Sequence, residues 1–380
     1  MVVVMTTEQP LEPYMARAIE LARQAVGTVS PNPPVGAVVV RDGHIVGEGH
    51  TQPAGRAHAE IMALDQAGAN ARGAELYVTL EPCAHQGRTG PCTAAIIAAG
   101  IRRVHIATLD PNRLTDGRGV QTLERGGISV LLREGNLEAR ELVEAFTKHV
   151  TTGMPFAVAK FAASLDGKIA TRSGDSKWIS SQGSRAYAHA LRASVDAVMV
   201  GIGTAIADDP RLTVRDAPLS GDQPTRVVVD THARLPLTAA MLGEPGSTIV
   251  ATAGASPDRM RALEAAGAII IDAGAGTAVN LAMLLTALGG RDITSVLVEG
   301  GSRLFGSLFD AGLIDKVVGI VAPVIIGGGD APGPVGGHGA QTMQDALTLS
   351  RVTHREIDGD IVFVGYPEPT PPRSRRKKGS

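Results

Sequence analysis

The sequence predicts an α/β protein of two domains. Apolar runs of strand length alternate with segments of helical periodicity through most of the chain, which is the pattern of a sheet covered by crossover helices. The 380 residues are enough for two domains that each bury a core. A small polar connection, Thr151 to Pro155, lies between a helical segment and a new apolar strand. We therefore predict a first domain at residues 8–150 and a second at 154–366.

The first domain reads as helix and strand in alternation. Its opening helix is predicted because Met15, Ala18, Ile19, Ala22 and Val26 recur on one face at helical spacing. A proline-rich break at residues 30–34 then ends it. Residues 116–119 are predicted as a turn. The elements are helix 11–26, strand 35–40, a helix from about residue 57, strand 75–80, helix 93–99, strand 103–108 and helix 136–149.

The second domain repeats the pattern. Ser256 and Pro257 are suited to the N-cap and first position of a helix, and Gly267 to the position after its end. Residues 325–330 form a glycine-rich loop, and the basic, proline-rich tail at 367–380 is expected to be disordered. The predicted elements are strand 156–162, helix 182–193, strands 195–200, 225–229, 248–251 and 296–299, and a helix ending near residue 311.

Composition points to a small-molecule partner. The net charge is −2 and aromatic residues make up 3% of the chain, so we expect neither electrostatic attraction to nucleic acid nor a platform for stacked bases. No apolar run approaches membrane-spanning length, and the run at residues 1–5 is too short for a secretory signal. If both cysteines bind metal, none remains for a disulfide, and the cytoplasm is the expected compartment.

A short segment carries the chemistry that organises the chain. His58 and the only two cysteines, Cys83 and Cys92, form a ligand set that gives zinc three protein bonds and leaves a fourth position for water. Glu60 follows the histidine by two residues and is placed to move protons at that water, as hydrolytic deaminases require. Two alternatives remain: the cysteines are small buried hydrophobes, or His85 completes a closed structural site.

For several other residues, the sequence allows two interpretations, one structural and one as a ligand contact. Asn32 either shapes a turn or presents its amide to a base. Arg88 is either a solvated loop charge or, with His85, a ligand for a phosphate or ribose. Lys160 either reaches the edge of its strand or faces a ligand, and Trp178 packs in a core or forms a pocket wall. The turn through Gly300 and Gly301 before a helix could bind the phosphates of a dinucleotide, although it is not the usual glycine fingerprint.

Over residues 8–366 these features resemble the bifunctional riboflavin-biosynthesis enzymes, in which a diaminohydroxyphosphoribosylaminopyrimidine deaminase is joined to a 5-amino-6-(5-phosphoribosylamino)uracil reductase. The first part of the resemblance is His58-Ala59-Glu60 with eight residues between Cys83 and Cys92. In the second half it rests on Lys160, Ser164 to Lys168, Ser176-Lys177-Trp178, Asp208-Asp209-Pro210 and Glu299-Gly300-Gly301. The resemblance implies a cytidine-deaminase-like α/β/α layer with a zinc site, followed by a dihydrofolate-reductase-like α/β domain.

The resemblance also implies site residues, cofactors and assembly. Zn²⁺ would be held by His58, Cys83 and Cys92, with Glu60 as the catalytic proton carrier. The pyrimidine nucleotide would contact Asn32, His85 and Arg88 in the deaminase, and Ser176, Arg192, Leu212, Arg215 and Glu299 in the reductase. NADPH would contact Ala162, Trp178, Thr204, Asp208, Thr231, Gly301, Ser302, Arg303, Leu304, Phe305, Gly306 and Ser307. Apolar strands in the second half favour a homo-oligomer, a dimer through the reductase domain.

One departure from the family and two other functions are kept open. Many relatives carry a substrate-contacting histidine seven residues before the zinc histidine, where this chain has Thr51 and the neighbouring histidine is displaced to His50. A zinc deaminase acting on another nucleobase, with a non-catalytic second domain, would bind no NADPH. A non-catalytic nucleotide-binding regulator would not depend on Glu60.

Overall fold

The computed structural model describes residues 3–4, 12–85, 90–112, 117–132 and 137–368. Arg88 and the predicted basic tail from residue 369 onward lie outside the described residues. The chain divides into two compact units. The first comprises Met1–Phe156 and Leu288–Thr294, and the second Ala157–Ala287 and Ser295–Ser380.

The first unit is built on a mixed sheet with the strand order β1-β6-β5-β4-β2-β3. Strands β1, β6, β5 and β4 pair in parallel, whereas β2 is antiparallel to both β3 and β4. The strands are β1 (Val3–Val4), β2 (Gly36–Arg41), β3 (His44–His50), β4 (Glu75–Val78), β5 (Arg103–Ile106) and β6 (Ser129–Leu132).

Helices α1 and α2 pack on this sheet through small residues. Four of the five residues predicted on one face of α1, Met15, Ala18, Ile19 and Ala22, are buried, whereas the fifth, Val26, is the C-cap after the helix and is half-buried. A Cβ atom on Gly36 would lie 1.9 Å from the Ala18 carbonyl oxygen, so glycine allows α1 to approach β2. The helices are α1 (Pro13–Ala25), α2 (Ala59–Ala67), α3 (Cys92–Ala99), α4 (Arg118–Arg125), α5 (Leu137–Leu142) and α6 (Glu144–Thr152).

Two predictions in the first unit were wrong in detail. A turn was predicted at residues 116–119; residue 116 lies outside the described residues, and residues 117–119 are the N-cap and start of α4, with Gly117 as a left-handed N-cap. The sequence predicted a turn here because glycines are unusual in a helix. Gly119 lets α4 pack closely against the loop at Pro82, since a Cβ at residue 119 would lie 2.2 Å from the Pro82 carbonyl oxygen. The helix predicted at 136–149 is interrupted at Val143, which separates α5 from α6.

The second unit is built on a larger sheet with the strand order β11-β10-β9-β8-β12-β7-β13-β15-β14. The neighbours from β11 to β12 and the pair β7–β13 are parallel, and the β14–β15 hairpin adds antiparallel strands at one edge. The strands are β7 (Phe156–Ser164), β8 (Ala197–Gly201), β9 (Thr225–Val229), β10 (Thr248–Thr252), β11 (Ala268–Asp272), β12 (Ser295–Gly300), β13 (Lys316–Ala322), β14 (Leu349–Ile357) and β15 (Asp360–Pro367).

The helices of this unit are partly as predicted. The helix at 182–193 and the Ser256 N-cap, which accepts from the Arg259 N–H, are confirmed. Helix α8 was missed because it follows β8 directly and is short. The helices are α7 (Gln182–Ala193), α8 (Ile202–Asp208), α9 (Pro257–Ala265), α10 (Leu281–Gly289) and α11 (Ser302–Asp310). Across the described ranges, no helix combines the length and apolar composition needed to cross a membrane.

The strand order of the second unit places a crevice at the ends of β8 and β12. From β8 the chain adds β9, β10 and β11 on one side, but β12 lies on the other side of β8. In open parallel sheets, ligands bind at such a switch point, beyond the carboxyl ends of the strands. Those ends are Gly201, which leads into α8, and Gly300, which leads into α11.

The contact between α1 and β2 gives a stability prediction. We expect Gly36→Ala to lower the free energy of unfolding by about 2–3 kcal/mol, because the added methyl group meets backbone that has no room to move. Denaturant unfolding followed by circular dichroism measures the change. Gly276→Ala is the control, since no atom lies within 4 Å of its added Cβ. Equal stability of the two variants would contradict this view of the packing.

Candidate active sites

The predicted metal ligands meet at the starts of two helices in the first unit. His58 is the N-cap of α2, Cys92 is the first residue of α3, and Cys83 lies in the loop after β4. The His58 Nδ1 atom is 3.2 Å from the Cys92 Sγ atom and 3.8 Å from the Cys83 Sγ atom. All three donor atoms lie within 4.8 Å of one another. Helix starts suit such ligands because their amides stabilise thiolates.

The donor set fits zinc. A hydrogen bond from Cys92 and the nearby imidazole of His58 hold the pKa of the Cys83 thiol well below its usual value. The backbone N–H of Cys92 also donates to the Cys83 sulfur at 3.3 Å. Two cysteine sulfur atoms and an imidazole nitrogen this close together are a typical ligand set for zinc, which would replace the proton that the two sulfur atoms share. His85 is exposed and is not part of the group, so the structure gives no support to it as a fourth ligand.

Glu60 lies beside these donors on the first turn of α2. Its side chain is buried, with the residue only 4% exposed. Burial, and then the charge of Cys83, raise the pKa of the Glu60 carboxyl to about 7. A carboxyl group with a pKa near neutrality can both accept and release a proton, which is the requirement for a general acid–base.

Two further predicted positions lie in the loops around this site. Asn32 is half-buried, and its backbone N–H donates to the Val29 carbonyl at 2.9 Å in a turn. Within the described ranges its side-chain amide makes no hydrogen bond, so it is available to a ligand. Thr51, at the position where relatives carry a histidine, is buried, and its hydroxyl accepts the Val35 N–H at 3.1 Å. This residue therefore supports the backbone before β2.

Glu81 is a residue of this site that the sequence did not reveal. It is 3% exposed, and its carboxylate accepts three backbone N–H groups, from Asp110 at 3.2 Å, Gly117 at 3.1 Å and Val120 at 3.1 Å. The carboxylate therefore ties the segment after β5 and the start of α4 to the loop that carries Cys83. Pro82 alone separates Glu81 from Cys83, the candidate metal ligand.

The second unit holds a buried charge cluster beside the crevice. The Glu299 side chain is 7% exposed, and Arg192 forms two hydrogen bonds with it, at 2.5 Å and 2.9 Å. The Lys160 Nζ atom lies 3.7 Å from the Glu299 carboxylate. Burial alone would raise the pKa of Glu299, but Lys160 and Arg192 outweigh it and hold the pKa at about 2. Glu299 is therefore a fixed anion between two cations.

Three neighbouring cavities lie along the crevice, and residues of this cluster line the first and the third. The first, of about 480 Å³, is lined by Lys160, Glu299 and predicted residues of both ligand sets. The second, of about 770 Å³, extends over the ends of β8, β9 and β12. The third, of about 420 Å³, contains Leu212. Ser176 and Asp208 line all three cavities, so one extended ligand or two adjacent ones can occupy them.

Most predicted reductase residues line these cavities. Gly306 does not. It faces residues 336–337, where a Cβ would lie 2.3 Å from the Gly336 carbonyl carbon, and its role is close packing. The predicted ligand residues that line the first cavity are Ala162, Ser176, Trp178, Arg192, Thr204, Asp208, Arg215, Glu299, Gly301 and Phe305. Those that line the second are Ser176, Thr204, Asp208, Thr231, Gly301, Ser302, Arg303, Leu304 and Ser307.

His189 is a second residue that sequence reasoning missed. It projects from α7, one turn before Arg192, and is 7% exposed. Its Nδ1 atom accepts the Arg215 N–H at 3.3 Å, and its Nε2 atom is 3.4 Å from the Asp216 carboxylate. Burial and then the charge of Arg192 lower the pKa of His189. A neutral imidazole here fixes the backbone of Arg215 at the cavity wall.

The metal site yields a first prediction. Cys83→Ser should reduce bound zinc from one ion per chain to well below one, because a hydroxyl group is a much poorer zinc ligand than a thiolate. Metal analysis of the purified protein measures it. Glu60→Ala is the matched control, since it removes a neighbouring buried side chain that is not among the three ligands. Full zinc content in the Cys83 variant would exclude Cys83 as a ligand.

Glu81 yields a second prediction. In Glu81→Gln an amide NH₂ group replaces one acceptor oxygen and faces a backbone donor. We expect zinc to be lost to a chelator roughly 10-fold faster, a typical effect of a residue that orients a ligand loop. Glu75→Gln is the control. Glu75 is the first residue of β4, the strand that precedes Glu81, and its carboxylate contacts the side chains of Arg102 and His105. Equal zinc release from both variants would show that Glu81 only stabilises the fold.

Comparison with known proteins identifies the family. Residues 8–108 match the family model described as the cytidine and deoxycytidylate deaminase zinc-binding region, and residues 155–363 match the RibD C-terminal domain. The riboflavin biosynthesis protein RibD of Aquifex aeolicus is 44% identical, over 92% of this chain and 96% of that protein. RibD of Escherichia coli is 40% identical, over 92% and 97%.

Solved structures agree. Acinetobacter baumannii RibD superposes with a TM-score of 0.84 at 38% identity, covering 94% of this chain and 98% of that one. A Thermotoga maritima diaminohydroxyphosphoribosylaminopyrimidine deaminase/5-amino-6-(5-phosphoribosylamino)uracil reductase superposes with a TM-score of 0.80 at 38% identity, covering 93% and 97%. The chain therefore belongs to the RibD family of riboflavin biosynthesis proteins, with a zinc-binding deaminase domain followed by an NADPH-using reductase domain.

Proposed function

We propose that this protein catalyses two steps of riboflavin biosynthesis. The first is hydrolytic deamination of 2,5-diamino-6-(5-phosphoribosylamino)pyrimidin-4-one to 5-amino-6-(5-phosphoribosylamino)uracil. The second is NADPH-dependent reduction of the ribosyl group to ribityl. The observation that carries the proposal is the meeting of His58, Cys83 and Cys92 within 4.8 Å beside the buried Glu60, in a chain whose second unit has a charged crevice at its switch point.

Glu60 moves the protons of the deamination. Zinc, when bound by the three ligands, acidifies a water molecule to a pKa of about 7 and so supplies the nucleophile. Glu60 takes a proton as the water oxygen bonds to the amidine carbon, and returns it to the amino group that leaves as ammonia. Its raised pKa suits both transfers. Asn32 and His85, together with Arg88 outside the described residues, are proposed to hold the pyrimidine and the ribose phosphate.

The second unit is proposed to align NADPH with the deaminated product. NADPH, when bound, would supply the hydride for C1′ of the ribose. The reduction breaks the bond from C1′ to the ring oxygen, and that oxygen takes a proton. Ser176, Arg192, Leu212, Arg215 and Glu299 are proposed to hold the substrate in the first and third cavities, which all five line between them. Their positions beside the crevice bring the sugar to the cofactor.

We propose that one of two groups, Lys160 or Asp208, delivers the proton of the reduction. Lys160 and Asp208 both line the first cavity. Lys160 stands 3.7 Å from the Glu299 carboxylate, which holds its side chain at the wall of the first cavity. Asp208 ends α8 at the point where the three cavities meet.

The cofactor residues follow the crevice from end to end. We propose that Ala162 and Trp178 contact the nicotinamide end of the cofactor. Ala162 lines the first cavity, Trp178 lines the first and the third, and neither lines the second. Thr204 and Asp208 lie where the cavities join, and Thr231 lies toward the other end, in the second cavity. The turn from Gly301 into α11 presents backbone amides to the diphosphate.

We also propose a homodimer formed through the reductase domain, in the cytoplasm. Strand β14 ends the larger sheet, and exposed apolar side chains lie on the terminal hairpin, with Val352 51% and Phe363 42% exposed. The unpaired backbone of an edge strand invites pairing with a second chain, and exposed apolar side chains beside it favour such a contact. The cytoplasm suits two free cysteines that serve as metal ligands. Sedimentation at micromolar concentration tests the dimer, and a monomer would exclude it.

The two activities should separate by mutation. Glu60→Ala is expected to lower deamination by at least about 100-fold, since a general acid–base is worth about that much, while the reduction of supplied deaminated substrate continues. Glu299→Gln should do the reverse, because it leaves Arg192 and Lys160 without their shared anion. Incubation with the diaminopyrimidinone nucleotide and NADPH, followed by mass analysis, measures both steps.

The order of the steps is read from the same experiment. The wild type should first lose one amino group as ammonia and then gain two hydrogen atoms. Glu299→Gln should accumulate the deaminated product, and Glu60→Ala should accumulate nothing. A protein that deaminates but binds no NADPH would contradict the reductase proposal and leave the second unit as a scaffold.

A further inference from the structure

Trp178 is a large aromatic side chain in an exposed position at the cavity wall. It is the only tryptophan of the chain, it lines the first and third cavities, and it is 71% exposed. The segment that carries it, residues 171–181, contains neither helix nor strand. An exposed indole on such a segment can turn about its side-chain bonds unless a neighbour holds it. The contact that fixes this ring therefore determines the shape of the cavity wall.

Arg185 supplies that contact with a single guanidinium group. Its Cζ atom lies 4.6 Å from the centre of the Trp178 ring, which is a cation–π distance. The same group donates from Nη1 to the Ser180 carbonyl oxygen at 2.7 Å, two residues after the tryptophan. Among the described residues, Trp178, Ile179 and Ser180 make no other hydrogen bond. One side chain therefore holds both the ring and the backbone that carries it.

Arg185 itself stands on a fixed base. It is the fourth residue of α7, and the N-cap of that helix, Ser181, donates its backbone N–H to the Asp360 carboxylate at 2.8 Å. The Gly183 N–H donates to the Asp358 carboxylate at 2.9 Å. The turn between β14 and β15 thus holds the start of α7 at two points. The guanidinium projects from a rigid support, which a positioning group requires.

The surroundings of Arg185 distinguish it from an ordinary surface arginine. It is half-buried and lines the first cavity, whereas an arginine that only solubilises a helix points to water. The carboxylates of Asp208, Asp216 and Glu299 line the same cavity, but within the described ranges none of them forms an ion pair with Arg185. Its charge is therefore not neutralised by a carboxylate and is directed at the electron-rich face of the indole.

We propose that Arg185 is a positioning residue of the reduction, which holds the Trp178 indole as a flat wall for the nicotinamide ring of NADPH. This inference rests on the proposed reductase function and adds a residue outside the predicted ligand sets. A ligand that must first order its binding wall binds more weakly, in proportion to the fraction of molecules in which the wall is already in place. Arg185 acts by raising this fraction.

The first measurement follows the ring itself. Because Trp178 is the only tryptophan, time-resolved fluorescence anisotropy of the full-length protein reports on this side chain alone. In the wild type the indole should turn with the whole protein. Arg185→Met removes the charge and the donors but keeps a long side chain, and it should add a fast component from rotation of the ring. Arg185→Lys keeps the cation but loses the fork of donors, and should fall between the two.

The second measurement is titration calorimetry with NADPH and with adenosine 2′,5′-bisphosphate, which has no nicotinamide. Arg185→Met should weaken NADPH binding by roughly 5- to 10-fold, the effect of losing a cation–π contact and a hydrogen bond. Binding of the bisphosphate should be unchanged. In a Trp178→Leu background, Arg185→Met should cause no further loss, because Arg185 acts through the ring.

Arg355→Met is the matched control. The Arg355 side chain of β14 lies over the Tyr187 ring of α7, with its Cζ atom 4.3 Å from the ring centre. Its loss removes a similar contact from the same helix, and neither residue lines the three cavities. This variant should keep wild-type anisotropy and NADPH binding. Far-ultraviolet circular dichroism checks each fold, and Arg185→Lys provides the reading if Arg185→Met does not fold.

The outcomes are distinct. Unchanged anisotropy in Arg185→Met, or an equal loss of NADPH and bisphosphate binding, would overturn the inference. An additive loss in the double variant would also overturn it, because Arg185 would then contact the cofactor directly. A wild-type protein that binds no NADPH would contradict the proposed reductase function itself. A wild type that binds NADPH, with Arg185→Met equal to it, would refute only the role of Arg185.

Discussion

Burying a carboxylate costs several kilocalories per mole unless hydrogen bonds or cations replace its water, and this protein meets that cost at the ends of three strands. Glu81 follows β4, Asp230 follows β9, and Glu299 lies in β12. The first two are at most 3% exposed, and the side chain of the third is 7% exposed. Each carboxylate therefore binds backbone amides or cationic side chains that lie around it, and these partners belong to the proposed sites.

The partners of each carboxylate determine what it fixes. Glu81 accepts from three backbone amides, so it fixes the main chain around the metal-binding loop. Asp230 accepts from the turn that ends at Leu235 and contains Arg234. Burial raises the pKa of Asp230, since the backbone amides and the charge of Arg234, 3.8 Å away, offset it only in part. Glu299 is satisfied by Arg192 and Lys160 instead, so it fixes side chains. Different partners thus offset the cost of burying each carboxylate. Their hydrogen bonds also hold irregular loops in place where ligands are proposed to bind.

This distinction explains how much the sequence could reveal. His58, Cys83 and Cys92 were predicted because their chemistry is rare and their spacing is local, and the structure confirms that they meet. Glu81 escaped notice because a glutamate before a proline has no distinctive pattern, and its partners lie 29 to 39 residues further along the chain.

Short elements were also beyond the reach of the sequence. Helix α4 begins among glycines that resemble a turn, and α8 has no room for a full amphipathic repeat, yet tertiary contacts stabilise both. Longer helices such as α1 and α7 were predicted from the sequence close to their observed positions. The parts predicted well are those whose structure depends on neighbours in sequence, and those missed depend on neighbours in space.

Glu60 and Glu299 show how one residue type serves two chemistries in one chain. Both are buried, but Glu60 lies beside the charge of Cys83, and its pKa rises to about 7. Glu299 lies between Lys160 and Arg192, and its pKa falls to about 2. A proton carrier must exchange its proton near neutral pH, whereas a group that orients cations and substrate must never lose its charge. Exchanging their surroundings would leave the first site without a proton acceptor that can also donate, and the second without a permanent anion. Burial is the main cause of the raised pKa of Glu60, whereas at Glu299 the charges of Lys160 and Arg192 outweigh burial and give that carboxylate its different role.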